Sequence, residues 1–148
     1  PVEPRPIGPR PVRYYEMEGH LWLSTDGTIL RVEPRPEWYA HKHVCCYAYY
    51  GISVFPDSLW LWFHSAYTYV VAVRRDADDK EVVAALANDD VVVSFLRENA
   101  DAFRYLMRER EAELIDRGYD DVVRKVKVIL ATVDLLNAGR REEEALPA

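Results

Sequence analysis

Three short stretches hold the residue types that could do chemistry. "HKHVC" sets His41, His43 and Cys45 at alternate positions, so on a strand all three face one way, and imidazole and thiolate are zinc ligands. Residues two apart on a strand diverge along roughly 7 Å, and no clear fourth ligand accompanies them, so ordinary strand histidines are expected and metal is not. Pro56-Asp57 followed by Asp78-Asp79-Lys80 echoes the PD…D-x-K pattern of magnesium-dependent nucleases, where carboxylates hold the metal and a lysine helps position water. Here the second half falls at a helix start, which a solvated, capping turn explains. The chain has no phosphate loop, G-x-S-x-G elbow, H-E-x-x-H or paired C-x-x-C. No catalytic residue, metal or cofactor is therefore expected, and the chain reads as a binding protein and not an enzyme.

The third stretch, "SLWLWFHSAYTYVVAVRR" (58–75), is the most informative. Read as two strands joined at Ser65-Ala66, it sends Leu59, Leu61 and Phe63 to one face and Trp60, Trp62 and His64 to the other. Extending the alternation gives an aliphatic face that adds Leu21, Leu23, Leu30, Val32, Val44 and Cys46. The opposite face adds Trp22, Arg31, Tyr47 and Tyr49, and Tyr67, Tyr69, Arg74 and Arg75 could join it from the last strand. Rings interleaved with arginine and histidine suit a single-stranded nucleic acid, because every base has a π-face and every nucleotide a phosphate. The competing use of the same rings is as a floor for helices, and about half of them are expected to be core.

The elements that must position these residues follow from composition and pattern. The 148 residues are 49% hydrophobic, enough for one domain with a core plus an extension. No apolar run is long enough for a membrane span, and the start lacks the apolar region of a signal peptide, so a cytoplasmic protein is expected. Adjacent Cys45 and Cys46 are closer than an ordinary disulfide spans and read as reduced. Absence of glutamine, little asparagine and more arginine than lysine hint at a thermophile. The net charge of −6 is uneven: residues 1–75 hold 8 basic and 7 acidic side chains, residues 76–148 hold 11 and 18. An anionic ligand thus belongs to the aromatic half.

Residues 1–13, with prolines at 1, 4, 6, 9 and 11, are expected to be a mobile, polyproline-like arm that could itself dock on a partner. Asp26-Gly27 marks a hairpin within "HLWLSTDGTILRV", and residues 20–75 read as about five antiparallel strands. An alternative takes 37–54 and 57–75 as buried helices, since unbroken apolar runs do not settle the period. Asp78 or Asp79 can cap a helix over 80–88, Asp89 a long one to Arg117 stopped by Gly118, and a third runs from near Asp120 to before Gly139. Val122, Val126, Ile129, Val133 and Leu136 step by 4, 3, 4 and 3, a coiled-coil seam that could pair two chains or pack within one. The expected layout is an α+β fold: arm 1–13, core 14–118, dimerisation helix 119–138 and acidic tail 139–148.

This pattern, an aromatic antiparallel sheet, then helices, then a zipper-like helix containing "VIL", resembles the single-stranded DNA-binding proteins of the Thermoproteales, called ThermoDBP. The resemblance covers most of the chain and rests on architecture. It implies a fold other than the OB barrel, sequence-independent binding of single-stranded DNA in a hydrophobic cleft with a basic rim, and homodimerisation through the last helix. It implies a role in protecting single strands during replication and repair; RNA stays open as a ligand. The site residues come from the alternation alone. Two other readings remain: a protein-interaction or structural module using the same face, and the magnesium-dependent nuclease.

Overall fold

A computed structural model describes residues 10–18, 28–32 and 49–145, with side chains over 10–18 and 49–139. Five strands, β1 (Val12–Glu18), β2 (Thr28–Val32), β3 (Tyr49–Val54), β4 (Ser58–His64) and β5 (Tyr67–Arg74), form one antiparallel sheet in the order β1-β5-β4-β3-β2. Three helices follow, α1 (Asp79–Ala87), α2 (Asp90–Asp116) and α3 (Asp120–Ala145). This is the expected α+β arrangement, and the described sheet is open, with β1 and β2 at its edges. The helical alternative for 57–75 is excluded, and so is its 49–54 portion.

β4 and β5 meet at Ser65-Ala66 as expected, closed by Ser65 N–H donating to the Tyr67 carbonyl at 2.9 Å. β3 and β4 are joined through Phe55-Pro56-Asp57, where Phe55 N–H reaches the Ser58 carbonyl at 2.8 Å. β1 departs from expectation: Val12 and Arg13 fall in the expected arm, yet once Pro11 is passed the alternating "VRYYEME" pairs along β5 from Val12↔Val73 to Glu18↔Tyr67. The Asp26-Gly27 hairpin, Trp22, Tyr47, His41, His43, Cys45 and Cys46 lie outside the described residues.

The helices pack on one face of the sheet, over Val12, Tyr50, Ile52, Val54, Leu59, Leu61, Phe63, Val71 and Val73. A buried polar link crosses the layers: the Tyr50 hydroxyl donates to Asn99 Oδ1 at 2.5 Å, and Asn99 Nδ2 donates to the Phe95 carbonyl at 2.8 Å. Asp78 caps α1 in a reciprocal box with Glu81, and Asp89 accepts from Val92 N–H at the start of α2. Gly118, at φ 83°, takes the left-handed turn into α3.

α3 departs from expectation twice. It continues through Gly139 to Ala145, because one glycine costs a helix only about 1 kcal/mol and the following arginines, glutamates and alanine are strong helix formers. Its seam is also spent at home. Val122, Val126, Ile129 and Val133 are fully buried in the core formed with α1, α2 and the sheet, and Leu136 packs against it. The heptad spacing thus reports an intramolecular helix pair, with α2 and α3 held antiparallel by Arg104–Asp134 (2.5 Å) and Lys127–Glu111 ion pairs. The seam is not free for a second chain.

Candidate nucleic-acid interface

The second face of the sheet is laid out by the ladder register in three rows. Tyr49, His64, Thr68 and Met17 form one; Gly51, Trp62, Val70 and Tyr15 the next; Ser53, Trp60, Ala72 and Arg13 the third. Ser58 and Arg74 pair beyond them. Trp60, Trp62, Val70, Ala72 and Phe55 make a second apolar cluster, separate from the core, with Tyr15, Met17 and Tyr49 packed around it.

Small residues on β3 make room for the indoles. A Cβ at Gly51 would stand 2.1 Å from the Trp62 ring, so the ring lies against the strand backbone, where only glycine admits it. In that position Trp62 Nε1 donates to Ser53 Oγ at 2.8 Å. Trp60 sets its ring edge-on to Phe55, centroids 5.1 Å apart, and its Nε1 finds no hydrogen-bond partner among the described residues.

The two tryptophans are not an open platform. Trp60 is 2% and Trp62 4% exposed, so a base could stack on them only if what buries them moved aside. Around them Tyr15, Tyr49, Met17, His64 and Arg13 are half-buried and reachable. His64 Nδ1 shares a 2.8 Å hydrogen bond with Thr68 Oγ1. Tyr15 and Tyr49 sit three strand spacings apart across the sheet, roughly 14 Å, and one row apart along it.

Of the other expected contacts, Tyr67 and Tyr69 are on the opposite face, because β5 pairs Tyr69 with Phe63 and the two rings stack at 6.1 Å. Arg75 lies past the end of β5 and serves the fold. It donates to Asp121 at 2.9 and 3.0 Å and to the Phe55 carbonyl at 3.1 Å, and stands 5.3 Å from the Tyr119 ring. That bond holds the Asp121 carboxyl below the usual carboxylate range. Arg74 is on the expected face and forks onto Asp76 at 2.9 and 2.6 Å. Arg31 occupies the β2 position paired with Gly51. Reasoning from sequence missed Arg13, Tyr15 and Met17; the alternation just after Pro11 was the signal for them.

The nuclease carboxylates are otherwise engaged. Asp78 accepts from Glu81 N–H at 2.8 Å, Asp79 pairs with Arg124 at 2.8 Å, and Asp57 accepts from Ser58 Oγ at 3.2 Å. Among the described residues no three His, Cys, Asp or Glu side chains gather as a metal site would require, and no helix is long and apolar enough to cross a membrane. No protein-family model, curated protein or solved structure matches the chain.

Proposed function

We propose that the protein binds single-stranded nucleic acid, DNA foremost, without sequence preference, along the second face of the sheet. One observation carries this reading: the two faces differ in charge. On the second face the described positions of β1, β3, β4 and β5 include Arg13, Arg74 and His64 and no carboxylate, whereas the helix-side face carries Glu16 and Glu18. In a chain of net charge −6, a ring-rich face free of acids favours a polyanion that also offers bases to stack. Tyr15 and Tyr49 are the stacking rings, Arg13 contacts phosphate, Trp60 and Trp62 form the floor, and Arg31 holds a β2 position in the same row as Gly51 and Trp62. Arg74 contributes less, since Asp76 already neutralises it. The resemblance to ThermoDBP implies the same activity; its dimerisation through the last-helix seam is not part of this reading.

A second reading has its own observation: Tyr15, Met17 and Tyr49 stand half-buried around the Trp60–Trp62 cluster, an apolar rim that favours another protein as occupant. Salt separates the two, because nucleic-acid affinity falls linearly in log salt and an apolar interface hardly responds. The test is a fluorescence-anisotropy titration with labelled oligothymidylate and a duplex of equal length over a salt series. Preference for the single strand with a negative salt slope is expected, and Tyr15→Ala or Tyr49→Ala should each weaken binding by about 1–3 kcal/mol. Equal affinity for the duplex, or unchanged binding by both variants, refutes the assignment.

A further inference from the structure

The helical layer stops short of one end of the sheet it covers. On this face β1 presents Tyr14, Glu16 and Glu18, and β5 presents Tyr67 and Tyr69, with Glu16 registered to Tyr69 and Glu18 to Tyr67. Phe95 of α2 packs over Tyr14 and Tyr69 with centroids 5.8 and 6.1 Å away, and there the cover ends. Tyr67 is 46% exposed and both glutamates are exposed.

The rings are held in place by one another. Tyr14 and Tyr69 stack at 6.3 Å with 20° between their planes, and the row continues to Phe63. Burial first, and then the neighbouring Glu16, Tyr69 and Glu98, push the Tyr14 hydroxyl up to about 12. No cation among the described residues pairs with Glu16 or Glu18. β1 is moreover an edge of the described sheet, so the outward backbone groups of alternate residues have no ladder partner there.

A negative ring face beside carboxylates attracts cations, and guanidinium fits best, since it stacks on tyrosine and forks onto carboxylate where ammonium does neither as well. We propose that this edge docks an extended, arginine-bearing segment of a partner protein, which adds alongside β1 and lays guanidinium groups against Glu16, Glu18 and Tyr67. The backbone supplies the pairing and the alternate arginines supply the selection, a division common to strand-addition complexes.

The probe is a fluorescein-labelled hexapeptide of alternating arginine and threonine, with a lysine version and a version N-methylated at every backbone nitrogen as controls. Saturable binding of the arginine peptide is expected, weaker with lysine and lost on N-methylation, which removes every backbone donor to the strand edge. Glu16→Gln/Glu18→Gln and, separately, Tyr67→Ala should lower affinity about three- to tenfold. Glu109→Gln/Asp116→Asn, which removes equal charge from the exposed side of α2, should leave it within about twofold. The three substituted glutamates and the aspartate are surface groups, and circular dichroism checks that folding is retained. Equal losses for the two double variants would reduce the effect to general attraction by an acidic protein and overturn the proposal, as would undiminished binding of the N-methylated peptide.

Discussion

Gly51→Ala is the smallest change that should injure the second face. The new methyl would sit 2.1, 2.3 and 2.8 Å from three atoms of the Trp62 ring, distances no rotamer adjustment of a few tenths of an ångström absorbs. The indole must lift off the strand, and overpacking of this kind costs about 1–3 kcal/mol. Lifting also breaks the 2.8 Å bond to Ser53 Oγ, and a buried donor left unsatisfied costs about 1–3 kcal/mol more. Reduced freedom of the unfolded chain returns only about 0.4–1 kcal/mol. The net loss is about 1–5 kcal/mol, read as a lower urea midpoint at unchanged slope. In a Trp62→Leu background the ring is gone, so the same substitution should cost at least about 1 kcal/mol less. A Gly51→Ala protein within about 0.5 kcal/mol of the parent, or an equal cost in both backgrounds, would refute the close-approach argument.

Ile129→Ala should destabilise the chain by about 2–5 kcal/mol, because the side chain is fully buried in its own domain, while the mass by light scattering stays that of the parent. A change in oligomeric mass with stability intact would instead return the seam to a second copy. Ultraviolet titration should find one tyrosine ionising near 12 that disappears in Tyr14→Phe. Since its folded pKa lies above the usual 10.0, the unfolded chain gives up this proton first; stability from the group is complete below pH 10 and is lost as pH rises towards 12. Removing the hydroxyl should make the alkaline decline shallower over that window, and an identical decline would show that the group is unperturbed.

Much of the scaffold was legible because it is written in local patterns. Period-two alternation through 58–75 and the Ser65-Ala66 break specify the β4–β5 hairpin and its two faces, down to Leu59, Leu61 and Phe63 opposite Trp60 and Trp62. Asp78, Asp89 and Gly118 mark helix ends through side-chain hydrogen bonds and backbone conformation that act over a few residues. What alternation cannot say is which face is covered, or by what, since a strand carries no information about its third-dimensional neighbours. Tertiary structure alone placed the helices on the aliphatic face and the tryptophans within a second buried cluster. It also turned Tyr69 towards Phe63, and gave Arg75 to Asp121 and not to a ligand. The seam of α3 is the same lesson in helical form: a 4-3 spacing specifies a stripe that must be buried, and only the fold decided that α2 and α1 bury it, because their apolar faces are brought against it within the same chain.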